Sequence, residues 1–105
     1  MTTWSFLTNH ARAILFIAGN RDARIRDVAA TLNVTERTAF AIVTDLTRDG
    51  YVVKEKDGRR NRYHIQSDRP LGDPISAERT IGELLDLLVK AEAWAEERRP
   101  RRRSR

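Results

Sequence analysis

Two segments near the start of the chain carry apolar side chains three or four positions apart, the spacing of one helix face. Residues 5–19 therefore predict a first helix, with Ser5 or Thr8 as its N-cap. Residues 24–34 predict a second helix whose apolar stripe covers two turns. Asn33 tolerates the left-handed backbone conformation and is expected to end that helix sharply.

A third helix is predicted from 35 to about 49, because Thr35 is a good N-cap and Gly50 a good stop. Only the short stretch 32–35 separates it from the second helix. Two helices joined by so short a turn are typical of a helix-turn-helix. The apolar face of the third helix is expected to consist of Ala39, Ile42, Val43 and Leu46.

The pattern changes from helical to alternating after this helix. Residues 51–56 and 59–66 favour β-strands, and Asp57-Gly58 between them is a strong signal for a tight hairpin. A hairpin directly after a helix-turn-helix is a wing. The predicted fold class is therefore α+β, mainly α, with a winged helix-turn-helix domain over residues 1–66.

The remaining chain predicts a linker, one long helix and a tail. Residues 67–76 contain two prolines and a glycine, as linkers do. A C-terminal helix is predicted over 77–97, with apolar residues around half its circumference. The segment 98–105 is arginine-rich and is expected to be disordered.

The formal net charge of +5 comes from that tail, which holds six arginines and no acidic residue. Without the tail the chain is almost neutral, but the charge is unevenly distributed. Residues 21–64 have an excess of basic side chains, whereas residues 76–97 have an excess of acidic ones. This division suggests that the middle of the chain faces an anionic partner.

Several classes of function find no support in the sequence. The absence of cysteine excludes disulfides, thiolate zinc sites and cysteine nucleophiles. No catalytic or phosphate-binding motif occurs, and His10 and His64 are interpreted as structural, so neither an enzyme nor a cofactor is predicted. With neither a signal peptide nor a span of about 20 apolar residues, the chain is expected to be cytoplasmic.

The third helix is the best candidate for a DNA-binding element, since the major groove, about 12 Å wide, admits one α-helix. Arg37 is the candidate for a bidentate contact to guanine, and Thr44 for a base or phosphate contact. Ala41 and Phe40 are candidates for contact with a thymine methyl, although Phe40 can equally pack on a neighbour. Any of these side chains can alternatively be an ordinary solvated residue. The full candidate set is Thr35, Glu36, Arg37, Thr38, Phe40, Ala41, Thr44 and Arg48.

The predicted wing carries cations that suit the phosphate backbone or the minor groove. Charged side chains on a hairpin can alternatively serve only to prevent edge-to-edge aggregation. Because residues 60 and 62 alternate with residue 61, at least one of the two arginines is expected to lie along a strand face. The candidates are Lys56, Arg59, Arg60, Asn61 and Arg62.

The segments 25–29, 50–52 and 57–63 resemble the winged helix-turn-helix of bacterial MarR- and ArsR-type transcriptional regulators. The resemblance covers residues 5–66. It implies that the third helix is the recognition helix and that Arg59 is a minor-groove arginine supported by Asp57. The chain departs from MarR proteins in lacking a helical segment before residue 5. It departs from metal-sensing ArsR proteins in lacking cysteine.

The predicted C-terminal helix has a wider apolar arc than one small domain usually covers, which favours a homodimer over a purely intramolecular closing helix. The candidate interface is Leu84, Leu85, Leu87, Leu88, Ala91 and Trp94. A two-fold dimer would place two recognition helices roughly 34 Å apart, on an inverted repeat.

The sequence thus predicts a sequence-specific regulator that binds double-stranded DNA as a homodimer. The alternative is a winged helix that serves as a protein-interaction module. The arginine tail either follows phosphates or is dispensable. A small-molecule effector is possible in such a protein, but no residue supports one.

Overall fold

This computed structural model describes residues 4–76 and 78–98, which form helices and one β-hairpin joined by loops. The helix-turn-helix and wing come first in the chain, and two short helices follow the 3₁₀ turn. In chain order the elements are α1 (Asn9–Gly19), α2 (Ile25–Leu32), α3 (Glu36–Arg48), β1 (Val52–Asp57), β2 (Arg60–Ile65), a 3₁₀ turn (Pro74–Ser76), α4 (Ile81–Leu88) and α5 (Glu92–Arg98). This order confirms the predicted fold class.

The ends of the first three helices follow from their capping residues. Thr8, rather than Ser5, caps α1, because its hydroxyl accepts a hydrogen bond from the Ala11 N–H at 3.1 Å. Asn33 adopts the left-handed conformation with a φ of 60° and ends α2. Two residues later Thr35 caps α3, which confirms the short turn of a helix-turn-helix.

The core of the domain forms between α1, α2, α3 and the base of the hairpin. Four apolar residues of α3, Ala39, Ile42, Val43 and Leu46, are buried as the sequence predicts. They pack with the buried faces of α1 and α2 and with Val52, Tyr63 and Ile65 of the hairpin. Burial of this one stripe fixes which side of α3 faces solvent.

The hairpin pairs β1 with β2 in antiparallel register, from Val52 opposite Ile65 to Asp57 opposite Arg60. The two loop residues are therefore Gly58 and Arg59, one position later than the predicted Asp57-Gly58 turn. Gly58 has a φ of 69°, and a positive φ at the first loop residue is what a type II′ hairpin turn requires.

The predicted linker is anchored on the end of α3. The guanidinium of Arg69 donates to the carbonyl of Asp49 at 2.9 Å, and the Tyr51 hydroxyl donates to the carbonyl of Pro70 at 2.6 Å. An isolated bridge also pairs Pro70 with Thr80. These contacts place the start of α4 beside the helix-turn-helix.

The prediction of a single long helix over 77–97 is wrong in two respects. The first helix of this region begins only at Ile81, because Thr80 and Glu83 form a capping box there, and the region is divided into two helices, α4 and α5. Leu85 and Trp94 are nine positions apart, which on a continuous helix places them on opposite faces, at about 100° per residue. The break, where Val89 is extended, allows both side chains to enter the same core.

This burial changes the predicted dimer interface. Leu85 and Trp94 are 0% and 2% exposed, so they belong to the core of the chain itself and are not available to a partner. Leu87 and Leu88, by contrast, are 76% and 42% exposed. Leu84 and Ala91 are half-buried. The apolar arc is thus shared between the chain's own core and an exposed remainder.

Asp86 holds the two C-terminal helices together. Its carboxylate accepts a hydrogen bond from Trp94 Nε1 at 3.0 Å and two from the guanidinium of Arg98 at 2.8 Å. Arg98 thus belongs to the ordered helix α5 rather than to a disordered tail, and the rest of the predicted tail, 99–105, lies outside the described residues. The bond to Arg98, and then the one to Trp94, hold the pKa of Asp86 below its ordinary value of 3.8.

We expect the Asp86 network to make the stability of the fold depend on pH in acid. Because the pKa of Asp86 is lower in the folded chain, its contribution is fully present above about 3.8 and is lost as the pH falls through the folded value. Asp86→Asn should lower the free energy of unfolding by about 1 kcal/mol at neutral pH and remove this part of the acid dependence. Thermal melts from pH 7 to pH 2 measure both effects.

Glu92→Gln is the matched control for this variant. Glu92 is an exposed carboxylate in the first turn of α5, with neither a hydrogen bond nor an ion pair inside the described ranges. Its substitution should change the acid branch of the melting curve far less. Equal effects of the two substitutions would contradict the role of Asp86.

Candidate nucleic-acid interface

The N-terminal half of α3 presents an exposed polar face. The Thr35 hydroxyl oxygen accepts from the Thr38 N–H at 3.1 Å, so its first role is to cap the helix. The buried stripe turns Arg37, Ala41 and Thr44 to the opposite side. Every residue that the sequence assigns to the DNA-contacting face of α3 is exposed: Thr35, Glu36, Arg37, Thr38, Phe40, Ala41, Thr44 and Arg48.

The C-terminal end of α3 is electrostatically different from its start. Asp45 lies 2.8 Å from His10 Nε2 of α1 and 3.3 Å from Arg48, and Arg48 also pairs with Asp49 at 3.2 Å. The hydrogen bond from His10, together with the charge of Arg48, lowers the pKa of Asp45. The bond to Asp49 raises the pKa of Arg48. Arg48 is therefore already engaged by carboxylates, unlike Arg37.

The pleat of the hairpin divides the charges of the wing between two faces. Residues 54, 56 and 61 share a face with the buried Tyr63, whereas residues 55, 57, 60 and 62 share the other. The first face carries Lys54, Lys56 and Asn61 and no acidic residue. Both acidic residues of the strands, Glu55 and Asp57, lie on the second face.

The arginine at position 62 faces the body of the protein. Its Nε lies 3.4 Å from Asp22 in the loop between α1 and α2, and its guanidinium lies 4.0 Å from Asp57. It is also partly buried. This geometry separates Arg62 from the other wing candidates, Lys56, Arg59, Arg60 and Asn61, which are exposed.

The basic side chains without a partner are concentrated on the helix-turn-helix and the wing. Among the residues that the structure describes, five arginines form ion pairs with carboxylates: Arg21, Arg48, Arg62, Arg79 and Arg98. Two others, Arg12 and Arg69, donate to backbone carbonyls. The rest have no such contact, and all except Lys90 lie between residues 24 and 60: Arg24, Arg26, Arg37, Lys54, Lys56, Arg59 and Arg60.

A groove of about 340 Å³ runs between α3 and the wing. Phe40 lines it with Val43 and Tyr63, and Thr44, Lys54 and Asn61 provide polar groups. Phe40 is 59% exposed, so its inner edge packs in the groove while much of the ring stays accessible. Phe40 thus packs partly on its neighbours, and its contact with a thymine methyl stays a prediction.

The candidate sets from the sequence omit three unpaired cations of the helix-turn-helix and wing: Arg24, Arg26 and Lys54. Arg24 precedes α2 and was not distinguishable from an ordinary loop residue, because only tertiary packing brings it beside the wing. Lys54 lines the groove next to α3, and strand alternation relative to the buried Tyr63 was the signal that would have identified it.

The described part of the chain contains no group of three or more histidine, cysteine, aspartate or glutamate residues placed to hold a metal ion. Within the same residues, no helix is both long enough and apolar enough to cross a membrane.

A family model described as the MarR family matches residues 5–62, more than half of the chain, and the chain therefore belongs to the MarR family. It contains a DNA-binding winged helix-turn-helix of a transcriptional regulator, and the family is not enzymatic. This membership confirms the resemblance drawn from the sequence.

No curated protein sequence matches the chain. Among solved structures, the chain is similar to AdcR, described as a zinc-dependent MarR family transcriptional regulator in its Zn(II)-bound state. The identity is 25%, the TM-score is 0.46, and the match covers 73% of this chain and 53% of that one. The chain thus spans about half the length of this relative.

We expect two wing arginines to respond differently to the same substitution. Arg59→Gln removes an exposed cation without a carboxylate partner, so the salt dependence of DNA affinity should fall by about 0.9 in log–log slope if it contacts one phosphate. Arg62→Gln removes a cation already paired with Asp22 and should leave that slope nearly unchanged. Titrations of a duplex at several salt concentrations measure both. A larger slope change for Arg62→Gln would reverse the assignment.

Proposed function

We propose that this protein binds an inverted repeat in double-stranded DNA as a homodimer, with α3 in the major groove and the wing on the backbone or minor groove. The observation that carries the proposal is the concentration of unpaired cations on α2, α3 and the wing of a MarR-family domain. A cation without a carboxylate partner can bind phosphate without first breaking an ion pair. Such binding supplies affinity, whereas side chains on the exposed face of α3 supply specificity.

Arg37 is the best candidate for a base contact. It lies in the first turn of α3, opposite the buried stripe, and the described residues offer it no carboxylate. Its guanidinium can donate two hydrogen bonds to the O6 and N7 atoms of guanine. Thr44 and Ala41 lie on the same exposed side, where a hydroxyl and a methyl group can contact neighbouring bases.

Arg37→Ala is therefore expected to weaken binding to a specific site more than binding to random DNA. Loss of one bidentate base contact costs about 1–3 kcal/mol, which is roughly a 5- to 150-fold loss of affinity. The specific site comes from selection of bound sequences out of random duplex DNA at a fixed salt concentration. Affinities for that site and for a scrambled duplex then give the comparison.

Arg79→Ala is the control, because Arg79 is an exposed arginine that pairs with Glu83 at the start of α4. It should change neither affinity. Equal losses on both duplexes for Arg37→Ala would contradict base contact. If selection instead recovers no preferred sequence from the wild-type protein, the winged helix serves another purpose, such as binding a protein.

The proposed dimer uses what we call the apolar surface. Leu87 and Leu88 of α4 are exposed, and Leu88 and Val89 line a groove with Leu15 and Phe16 of α1 and with Leu7 before it. An exposed apolar patch of this kind favours association. The segment 76–97 has an excess of acidic side chains and is poorly suited to DNA, which leaves its exposed apolar residues for a protein partner. The apolar surface is defined by Leu7, Leu15, Phe16, Leu87, Leu88 and Val89.

The double substitution Leu87→Glu, Leu88→Glu should dissociate the dimer, because it places two charges on the apolar surface without touching the core. Trp94 is unsuitable for this test, since it is buried and its substitution would unfold the chain. Sedimentation equilibrium at micromolar concentration measures the association state, and circular dichroism checks the fold.

Ile75→Glu is the matched control, because Ile75 is 94% exposed and lies in the 3₁₀ turn, outside the apolar surface. This variant should sediment as the wild type does. A well-folded monomer of the wild-type protein at the same concentration would reject the dimer.

A further inference from the structure

We propose that a phosphodiester group of the DNA backbone binds in a notch between the start of α2 and the tip of the wing, and that Arg24 is one of its ligands. The notch has a volume of about 250 Å³. We call it the wing notch and define it by Arg24, Arg59, Arg60 and Asn61 over a floor of Ala23 and Tyr63. The inference rests on the proposed function and extends it to a site that the recognition helix does not include.

Tertiary packing brings the cations of the notch together from two distant parts of the chain. The loop before α2 runs beside β2, where the Tyr63 N–H donates to the carbonyl of Arg21 at 3.1 Å. Burial of Ala23 and Tyr63 fixes that loop against the strand. Arg24, the next residue, therefore lines the same cavity as Arg59 and Arg60.

These three guanidinium groups lack a carboxylate partner within the part of the chain that the structure describes. A bound anion would be attracted to all three cations that line the notch. Guanidinium groups present planar forks of donors that match phosphate oxygens, and Asn61 adds a neutral amide donor. The chemistry of the notch therefore fits a phosphodiester group of a nucleic acid.

The acidic side chains near the notch are already engaged. Asp22 also lines it, but its carboxylate is 3.4 Å from the Arg62 guanidinium. Asp27 accepts a hydrogen bond from the Arg24 N–H at 3.0 Å and does not line the notch.

The position of the notch favours a phosphate of DNA over a free anion. Asn61 and Tyr63 line both the wing notch and the groove between α3 and the wing. A DNA strand that leaves the groove beside α3 therefore reaches the notch across Asn61. The same wing side chains can contact successive parts of one strand.

The first test is the salt dependence of DNA binding by Arg24→Gln. Loss of one phosphate contact should reduce the log–log slope by about 0.9, equally on the selected site and on a scrambled duplex. Arg24→Lys keeps the charge and should retain most of the slope. Arg79→Gln, the matched arginine substitution outside the interface, should leave the slope as it is in the wild type. Thermal melts establish that each variant is folded.

The second test locates the phosphate. Single methylphosphonate substitutions along the selected duplex remove one backbone charge at a time. In the wild type, neutralising one particular phosphate should lower the affinity. The same substitution should have no effect on Arg24→Gln, because this variant already lacks the side chain that contacts that phosphate. Additive losses at every position would overturn the assignment of Arg24.

Inorganic phosphate provides the third arm. If the notch were a free-anion site, millimolar inorganic phosphate would raise the melting temperature of the wild type but not of Arg24→Gln, and the DNA slope would be the same in both. That result overturns the proposal while leaving DNA binding intact. If the wild type binds no duplex at all, both this inference and the proposed function fail.

Discussion

Burial of one face of α3 determines which side chains of that helix face solvent in the candidate interface. Each large apolar side chain of that face contributes about 1.5–3 kcal/mol when it leaves water, so rotation of the helix about its axis is strongly opposed. Because Ala39 and Val43 pack against the core, Arg37 and Thr44 on the opposite side of the helix face solvent. The cap at Thr35 then fixes where the exposed face begins. Fold stability and the proposed DNA contact are thus two consequences of the same packing.

Ion pairing decides which cations are available to DNA. Without its tail the chain is almost neutral, and a count of charges therefore argues weakly for an anionic partner. The structure resolves this difficulty because carboxylates neutralise arginines away from the interface, such as Arg21 with Glu97 and Arg98 with Asp86. The cations between Arg24 and Arg60 that remain unpaired create a local positive surface on a chain of little net charge.

The C-terminal helices show how a correct apolar pattern can lead to an incorrect element. Apolar residues around half the circumference predict one amphipathic helix with an uncovered apolar face. A break after Leu88 instead turns Trp94 back into the core, where Asp86 satisfies its indole N–H. The chain's own core thereby buries many of the apolar residues of these two helices. Only the part around Leu87 and Leu88 stays exposed for the proposed partner.

Local sequence patterns were enough to predict the helix-turn-helix, its capping residues and the hairpin, because local periodicity, Thr35, Asn33 and the glycine turn act over a few residues. The sequence also predicted the exposed face of α3, because the apolar stripe that is buried leaves the opposite side of the helix to solvent. Tertiary structure alone decided the position of Arg24 beside the wing, the pairing of Arg62 with Asp22 and the break before α5. Those features depend on contacts between residues far apart in the chain, and a helical or alternating pattern carries no information about which distant segments meet.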